Sequence, residues 1–280
     1  MSGLRAPRSP SRNSATETDQ LTVLLEELLE DRPMPLRTYD QIHMRTEDLA
    51  RHIWSVAPYL EGKDVLAMGD SDGFVLGLTC AGRLGLVPAP NHIFVCDFDR
   101  RVLQFIRMMT TRLGLARTVS LHAYNVFEPL PYELERVADV FHTNPPYGQY
   151  NGGRSVMAFV DRCLGGLRAG GTGLIIAAND SAFDWTDHVL RNILQDLLRR
   201  DVTSFRITCE QHRYHLDDQP ELRSGVIWCR TPPRGVAEYA RSRLPSQFEE
   251  RFYGRKSIPI PSFIGLDGQP EQLTLDHGSA

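Results

Sequence analysis

Between Glu61 and Arg200, short apolar runs alternate with stretches of helical periodicity, and this alternation leaves the chain few folds to choose from. Asp64–Met68, His92–Cys96, Thr118–His122, Ala138–Thr143 and Gly171–Ala178 read as strands. Helices are predicted over Phe74–Arg83, over a stretch carrying Val102, Leu103, Ile106 and Met109 on one face, and over Ser155–Arg168 and Thr186–Arg200. Repeated β-α units of this kind predict an α/β protein with a mostly parallel sheet and helices on both faces. Ser204–Cys209 and Gly225–Arg230 form a final strand pair. A last strand returning antiparallel brings the loop Gln211–Arg223 over one end of the sheet.

The flanks read differently. Residues 1–18 are rich in Ser, Arg and Pro with little apolar content and are expected to be a disordered tail. Residues 19–60 are expected as an N-terminal helical segment. Leu21, Leu24, Leu25, Leu28 and Leu29 recur at helical spacing, Arg32-Pro33 ends that helix, and Pro33–Gln41 is a loop. Thr46-Glu47-Asp48 caps a second helix running to about Pro58. The Rossmann-like domain is expected over 61–232, followed by an extension over 233–280 that contains the run I-P-I-P-S-F.

A content of 41% hydrophobic and 24% charged residues is that of an ordinary globular protein. No apolar run reaches the roughly 18 residues of a membrane helix, and no signal-peptide stretch opens the chain. No membrane partner is therefore expected, and the expected location is cytoplasmic. The net charge of −4 argues against nucleic acid as a partner. Cys80, Cys96, Cys163, Cys209 and Cys229 form no C-x-x-C pair and are expected as buried free thiols. The histidines form no ligand set, so no metal is expected. A homodimer is an assembly the sequence allows.

Ligands of parallel α/β sheets bind at the carboxyl ends of the strands, and the polar residues gather there. The first strand runs into Gly69-Asp70-Ser71-Asp72-Gly73. Its glycines let the backbone approach a nucleotide-like ligand. Asp70 and Asp72 would repel phosphate and suit a cationic ligand, and Asp72 is also placed to cap the next helix. Asp97, ending the second strand, stands where an acid accepts hydrogen bonds from ribose hydroxyls; Asp99 is its alternative, or a helix cap. Asn125, after the third strand, is placed to meet an adenine edge. Asn144-Pro145-Pro146-Tyr147, after the fourth, is the most informative run. Two prolines fix the turn. The Asn144 amide oxygen can accept a hydrogen from a substrate amine and leave the nitrogen lone pair aimed at an electrophile. The Tyr147 ring can attract the developing ammonium. Such catalysis is positioning and electrostatic stabilisation, with no covalent intermediate.

The N-P-P-Y run after a fourth strand resembles the class I S-adenosylmethionine-dependent methyltransferase fold, whose amino-group members carry this motif. A longer ordered set resembles the catalytic domain of the branched-chain polyamine synthase family of aminopropyltransferases. That set is R-T-Y-D-Q at Arg37–Gln41, G-D-S-D-G at Gly69–Gly73, V-C-D-F-D at Val95–Asp99, L-P-Y-E-L at Leu130–Leu134 and D-V-F-H-T-N-P-P-Y at Asp139–Tyr147. The resemblance spans about Arg37–Arg230. Two positions depart from the family pattern. Ser71 replaces the central acid of G-D-D-D, and Asn144 stands where the family has aspartate. An aspartate there can act as general base on the attacking amine; asparagine cannot. The segment before Glu61, short and polar at its start, is not expected to hold the family's separate N-terminal winged-helix domain.

The resemblance implies decarboxylated S-adenosylmethionine as donor and a polyamine or related small cationic amine as acceptor, with Tyr39 and Asp40 at the substrate. The decarboxylated donor ends in a bare ammonium, so its pocket should be acidic and hold no cationic partner for a carboxylate. A polyamine also wants carboxylates along its path, for which Glu128, Asp180, Asp184, Asp187, Asp217 and Asp218 are candidates; Asp180 directly follows the fifth strand. Tyr214 and His215 are candidates for a lid. The leading expectation is an N-alkyltransferase of the aminopropyl type. The alternatives are an S-adenosylmethionine-dependent N-methyltransferase of a small-molecule, peptide or nucleobase amine, favoured by Asn144, and a non-catalytic regulator binding a nucleoside or amine, against which the intact N-P-P-Y stands.

Overall fold

The structure is a computed structural model and describes residues 12–232 and 237–271. Seven strands form one sheet in the order β3-β2-β1-β4-β5-β7-β6. They are β1 (Asp64–Met68), β2 (His92–Asp97), β3 (Val119–Ala123), β4 (Ala138–Thr143), β5 (Leu167–Ala178), β6 (Thr203–Arg213) and β7 (Arg223–Arg230). The first five pair in parallel, and β7 runs antiparallel to both β5 and β6. This is the expected mostly parallel class I methyltransferase-like sheet. Strand β6 runs farther than predicted because a register shift between Thr208 and His212 lets it continue to Arg213.

The strands alternate as their sequences do. Val65, Ala67, Ile93, Val95, Leu174, Ile176 and Trp228 enter one core, while Leu66, Met68, Cys96, Phe141, Ile175, Ala177 and Ile227 enter the other. Helices α2 (Thr46–Leu60), α3 (Phe74–Arg83) and α4 (Arg100–Arg112) cover the first face, with α1 (Arg12–Leu28) laid on α2 and α3. Helices α5 (Arg154–Gly166) and α6 (Asp184–Arg199) cover the second. Helix α1 begins inside the stretch expected as a tail; residues 1–11 of that stretch lie outside the described residues. The expected cap of α2 is not formed. Arg45 occupies the cap position without a side-chain bond. Asp48 is instead fully buried, pairs with Arg51 and accepts hydrogen bonds from the Arg213 backbone N–H at 2.7 Å and Nε at 2.9 Å. Two guanidinium groups are stronger partners for a buried carboxylate than one free backbone N–H.

Residues 233–236 and 272–280 of the expected extension lie outside the described residues. From 237 to 271 the chain first packs on α5 and then reaches the carboxyl ends of the strands. The Leu130 N–H donates to Ala240 O, the Leu244 N–H to Phe127 O, and the Ile264 N–H to Phe98 O. A small hairpin, β8 (Phe263–Ile264) with β9 (Pro270–Glu271), ends it. Four cysteines are buried, but Cys209 is exposed because β6 is an edge strand. No helix among the described residues is long and apolar enough to cross a membrane.

Candidate active site

Strand β1 has β2 on one side and β4 on the other, so successive connections leave it in opposite directions and open a crevice at its carboxyl end. A cavity of about 800 Å³, including the space at its mouth, fills that crevice. Its walls come from the turns after β1, β2, β3 and β4, from the loop 39–42, from Tyr214 and from Tyr253 of the C-terminal segment. The Thr143 hydroxyl donates to Met68 O at 2.8 Å and staples β4 to β1 beside it.

Gly69 lines the cavity at φ 78°, a conformation that a Cβ would strain. Gly73 has φ 82° and is the N-cap of α3; a Cβ there would come within 2.4 Å of Leu29 Cδ2, so glycine also lets the chain after α1 pack against α3. The two acids between them turn away from the cavity. Asp70 accepts the Val75 N–H at 3.2 Å and caps α3, the role expected of Asp72. Burial drives the Asp70 pKa well up, and Asp72 and Asp97 add to the rise. Asp72 Oδ1 accepts the Met44 N–H at 2.7 Å, Oδ2 accepts Asn144 Nδ2 at 2.6 Å, and its carbonyl accepts Arg32 Nη1 at 2.9 Å. Burial raises the Asp72 pKa, while these neighbours pull it back down. Ser71 is the member of the turn's central trio that lines the cavity. The acidic seat expected from Asp70 and Asp72 is therefore not at the wall, because Asp70 is held by the Val75 N–H and Asp72 by the Met44 N–H and the Asn144 amide.

The wall's acids are Asp97 and Asp40, and no Lys, Arg or His among the described residues lines this cavity. Asp97 accepts the Asp70 N–H at 2.9 Å and the Asp99 N–H at 2.8 Å, and burial pushes its pKa up to about 7. Asp99 proves to be the cap of α4: it is fully buried and held by Arg101 and by Gln41 Nε2 at 3.0 Å. Asn125 borders the cavity, but its Nδ2 donates to Pro261 O at 2.6 Å and Ser262 O at 3.1 Å, and its Oδ1 accepts the Phe127 N–H. Both donors are committed to the C-terminal segment, which removes the expected adenine contact through them.

Asn144, Pro145, Pro146 and Tyr147 all line the cavity. With its nitrogen held by Asp72, the Asn144 amide has its oxygen on the other side. The Tyr147 and Tyr214 rings meet edge to face with centroids 5.9 Å apart, and Tyr214 OH lies 2.7 Å from Ser224 Oγ. Burial raises both phenol pKa values. Tyr39 meets Phe98 and Tyr253 edge to face at 5.7 Å and 5.3 Å, which makes an aromatic wall. Asp40, at φ 56°, lines this cavity and, with Ile42, Tyr147 and Tyr253, also an outer chamber lined by Arg37, Asp218 and Arg251 among others.

The remaining expected substrate acids are elsewhere. Glu128 pairs with Arg243 of the C-terminal segment. Asp180 is spent on backbone N–H groups, accepting that of Ala182 in its own loop at 3.0 Å and that of Arg223 at the start of β7 at 2.9 Å. Asp184 and Asp187 sit exposed in the first turn of α6, where acids complement the helix dipole. Asp217 is exposed, Asp218 borders only the outer chamber and pairs with Arg37 at 3.3 Å, and His215 is exposed. Sequence reasoning missed Phe98, Gln41 and Tyr253. The first two flank recognised acids within quoted motifs; Tyr253 carried no local signal. Among the described residues no three His, Cys, Asp or Glu side chains are gathered so as to hold a metal ion.

The chain is 29% identical over 177 residues to the N(4)-bis(aminopropyl)spermidine synthase of Methanocaldococcus jannaschii, covering 61% of this chain and 47% of that protein. It is 27% identical over 196 residues to the enzyme of the same name from Thermococcus kodakarensis, covering 67% and 52%. The chain thus spans about half the length of these relatives. Its fold matches the crystal structure of the branched-chain polyamine synthase from Thermus thermophilus with a TM-score of 0.68 at 20% identity, over 88% of this chain and 76% of that one. A putative RNA methyltransferase from Pyrococcus horikoshii matches with a TM-score of 0.56 at 15% identity, over 78% of this chain and 99% of that one. Residues 21–202 match the family described as the branched-chain polyamine synthase A C-terminal domain, and the chain belongs to that family.

Proposed function

We propose that the chain transfers the aminopropyl group of decarboxylated S-adenosylmethionine to an amine nitrogen of a polyamine. The observation that carries this reading is the wall of the inner cavity, which offers two carboxyl groups, several aromatic faces and no basic side chain among the described residues. A donor with an α-carboxylate would be desolvated there without a counter-charge, which is costly. A donor ending in an ammonium meets Asp40 and ring faces suited to cations. The names of the relatives support the reading. So does the Thermus thermophilus structure, described as a complex with N4-aminopropylspermidine and 5'-methylthioadenosine.

In this reading Asp97 accepts the donor's ribose hydroxyls at the end of β2. The Asn144 oxygen takes an N–H of the acceptor amine and aims its lone pair along the axis of the sulfonium-bound methylene. The new N–C bond forms as the C–S bond breaks, and the electron pair goes to sulfur to leave neutral methylthioadenosine. Tyr147 faces the ammonium charge that appears on nitrogen. Binding by calorimetry should favour decarboxylated over carboxylated donor by about tenfold or more, since one unpaired charge costs more than 1.4 kcal/mol. Turnover with spermidine should yield methylthioadenosine and a longer or branched polyamine. Preference for the carboxylated donor would assign methyl transfer instead, and no product with any amine would end the reading.

A further inference from the structure

We infer that His212 and Ser224 are positioning residues for the transfer: through the Tyr214 hydroxyl they hold the Asn144 amide with its oxygen toward the substrate amine. The inference rests on the aminopropyl-transfer reading, in which that oxygen accepts the amine N–H. Asn144 Nδ2 carries two hydrogens and acts only as a donor. Asp72 Oδ2 takes one of them at 2.6 Å. The Tyr214 hydroxyl lies beside the same amide, and Tyr214 lines the cavity. A second acceptor there fixes the plane of the amide as well as its sense.

Tyr214 can accept from Asn144 only if its own proton points elsewhere, and the fold supplies the place. The Tyr214 hydroxyl lies 2.7 Å from Ser224 Oγ, which in turn lies 2.9 Å from His212 Nδ1. All three residues are buried. The chain of bonds has one direction. Asn144 Nδ2 cannot accept, so the Tyr214 proton goes to Ser224. The Ser224 proton then goes to His212, whose Nδ1 must be bare with the ring proton on Nε2. Burial keeps that ring neutral, and Arg51 adds to the effect. The buried Tyr147 hydroxyl faces Tyr214 as well, so the chain ends on both polar members of the N-P-P-Y turn.

The sheet is irregular where this chain of bonds is built. A regular ladder continued from the Thr208–Val226 pair would set Glu210 opposite Ser224; the register shift sets His212 there instead. Inside the shift Glu210 takes φ 53°, and a Cβ on Gly225 would collide with Thr208 O, so the approach needs glycine beside Ser224. Bulges next to active sites place side chains that a regular ladder would not. Tyr214, two residues past His212, bridges to Met44, whose N–H holds the other oxygen of Asp72. The two holders of the Asn144 amide are thereby fixed to one another.

The test uses the full chain. Ser224→Ala cuts the chain of bonds with little change of shape. Its kcat should fall about tenfold or more, while methylthioadenosine binding stays within about twofold of the parent. His212→Phe, which removes the acceptor, should lose kcat in the same way. His212→Asn, whose amide oxygen can take the place of Nδ1, should recover most of that loss. Ser224→Ala with more than about half of the parent's kcat overturns the inference, as does an equal loss of kcat and methylthioadenosine binding. So does a His212→Asn variant as impaired as His212→Phe. Ring-nitrogen NMR of histidine-labelled parent should show His212, assigned by its absence from His212→Asn, as the neutral Nε2–H tautomer; a proton on Nδ1 overturns the direction of the chain and the inference with it. That measurement needs no turnover, so a parent without transfer activity ends the aminopropyl reading and is told apart from a failure of the positioning role.

Discussion

At the residue scale the site turns on how one amide is held. An asparagine amide can face either way, and the Asp72 carboxylate, which only accepts when ionised, fixes the Asn144 nitrogen toward itself. Asp72→Asn would replace one acceptor oxygen by a donor. The remaining oxygen cannot serve both the Met44 N–H and Asn144, so the Asn144 amide turns and presents N–H groups to the substrate amine. We expect kcat to fall about 10²-fold with donor affinity nearly unchanged, as for loss of a preorganised transition-state contact. Equal losses in methylthioadenosine binding and kcat would contradict it. The N-P-P-Y run was legible in the sequence because its rigidity is local. The orientation of Asp70 and Asp72 was not, because it depends on two positive-φ glycines and on Met44, which approaches from a separate element.

At the element scale the C-terminal segment is the part of the site that no local pattern announces. Every contact that places it is long-range: Asn125 reaches Pro261 across 136 positions, and Ser155 Oγ donates to Phe252 O across 97. Its anchor is the buried Arg162 of α5. Arg162 Nε donates to Val126 O at 2.7 Å, Nη2 to Ser242 O at 2.9 Å and Nη1 to Tyr239 O. Neighbouring Asp161 accepts the Glu238 and Tyr239 N–H groups and pairs with Arg200 at 2.5 Å. Arg162→Met keeps the stem but leaves those carbonyls without donors and unbalances the buried charges. It should destabilise the fold by about 3–5 kcal/mol in urea denaturation. It should also weaken methylthioadenosine binding, because Tyr253, part of the cavity wall, belongs to the same segment. Parent-like values for both would show that the segment is held without it. The strands and helices of the Rossmann-like domain, by contrast, were legible as elements, since period-2 and helical patterns are local, although β5 begins at Leu167 and β6 runs on to Arg213.

At the scale of the whole molecule, the net charge of −4 hides two buried sets of titratable groups with opposite pH linkage. His52, His142 and His212 meet in one core, His52 Nε2 lying 2.9 Å from His142 Nε2, and burial lowers all three, to about 3 for His142 and about 4 for His212. Below 6.5 the unfolded chain binds protons that these rings refuse in the folded state, so their contribution falls as pH drops toward 4. Asp40 and Asp97 act in reverse. Raised from 3.8 to about 7, they hold protons in the folded state that the unfolded chain releases, a stabilisation present below 3.8 and lost as pH rises through 7. Between the two limits the slopes oppose, and removing one group exposes the balance. Asp97→Asn removes a group whose slope is negative, so between about pH 5 and pH 6 unfolding free energy should rise with pH about 1.4 kcal/mol per unit more steeply than in the parent. Urea denaturation at the two pH values reads this directly. An unchanged slope would mean that Asp97 is already ionised in the folded protein, and the cavity would then carry a full negative charge at the ribose end at neutral pH.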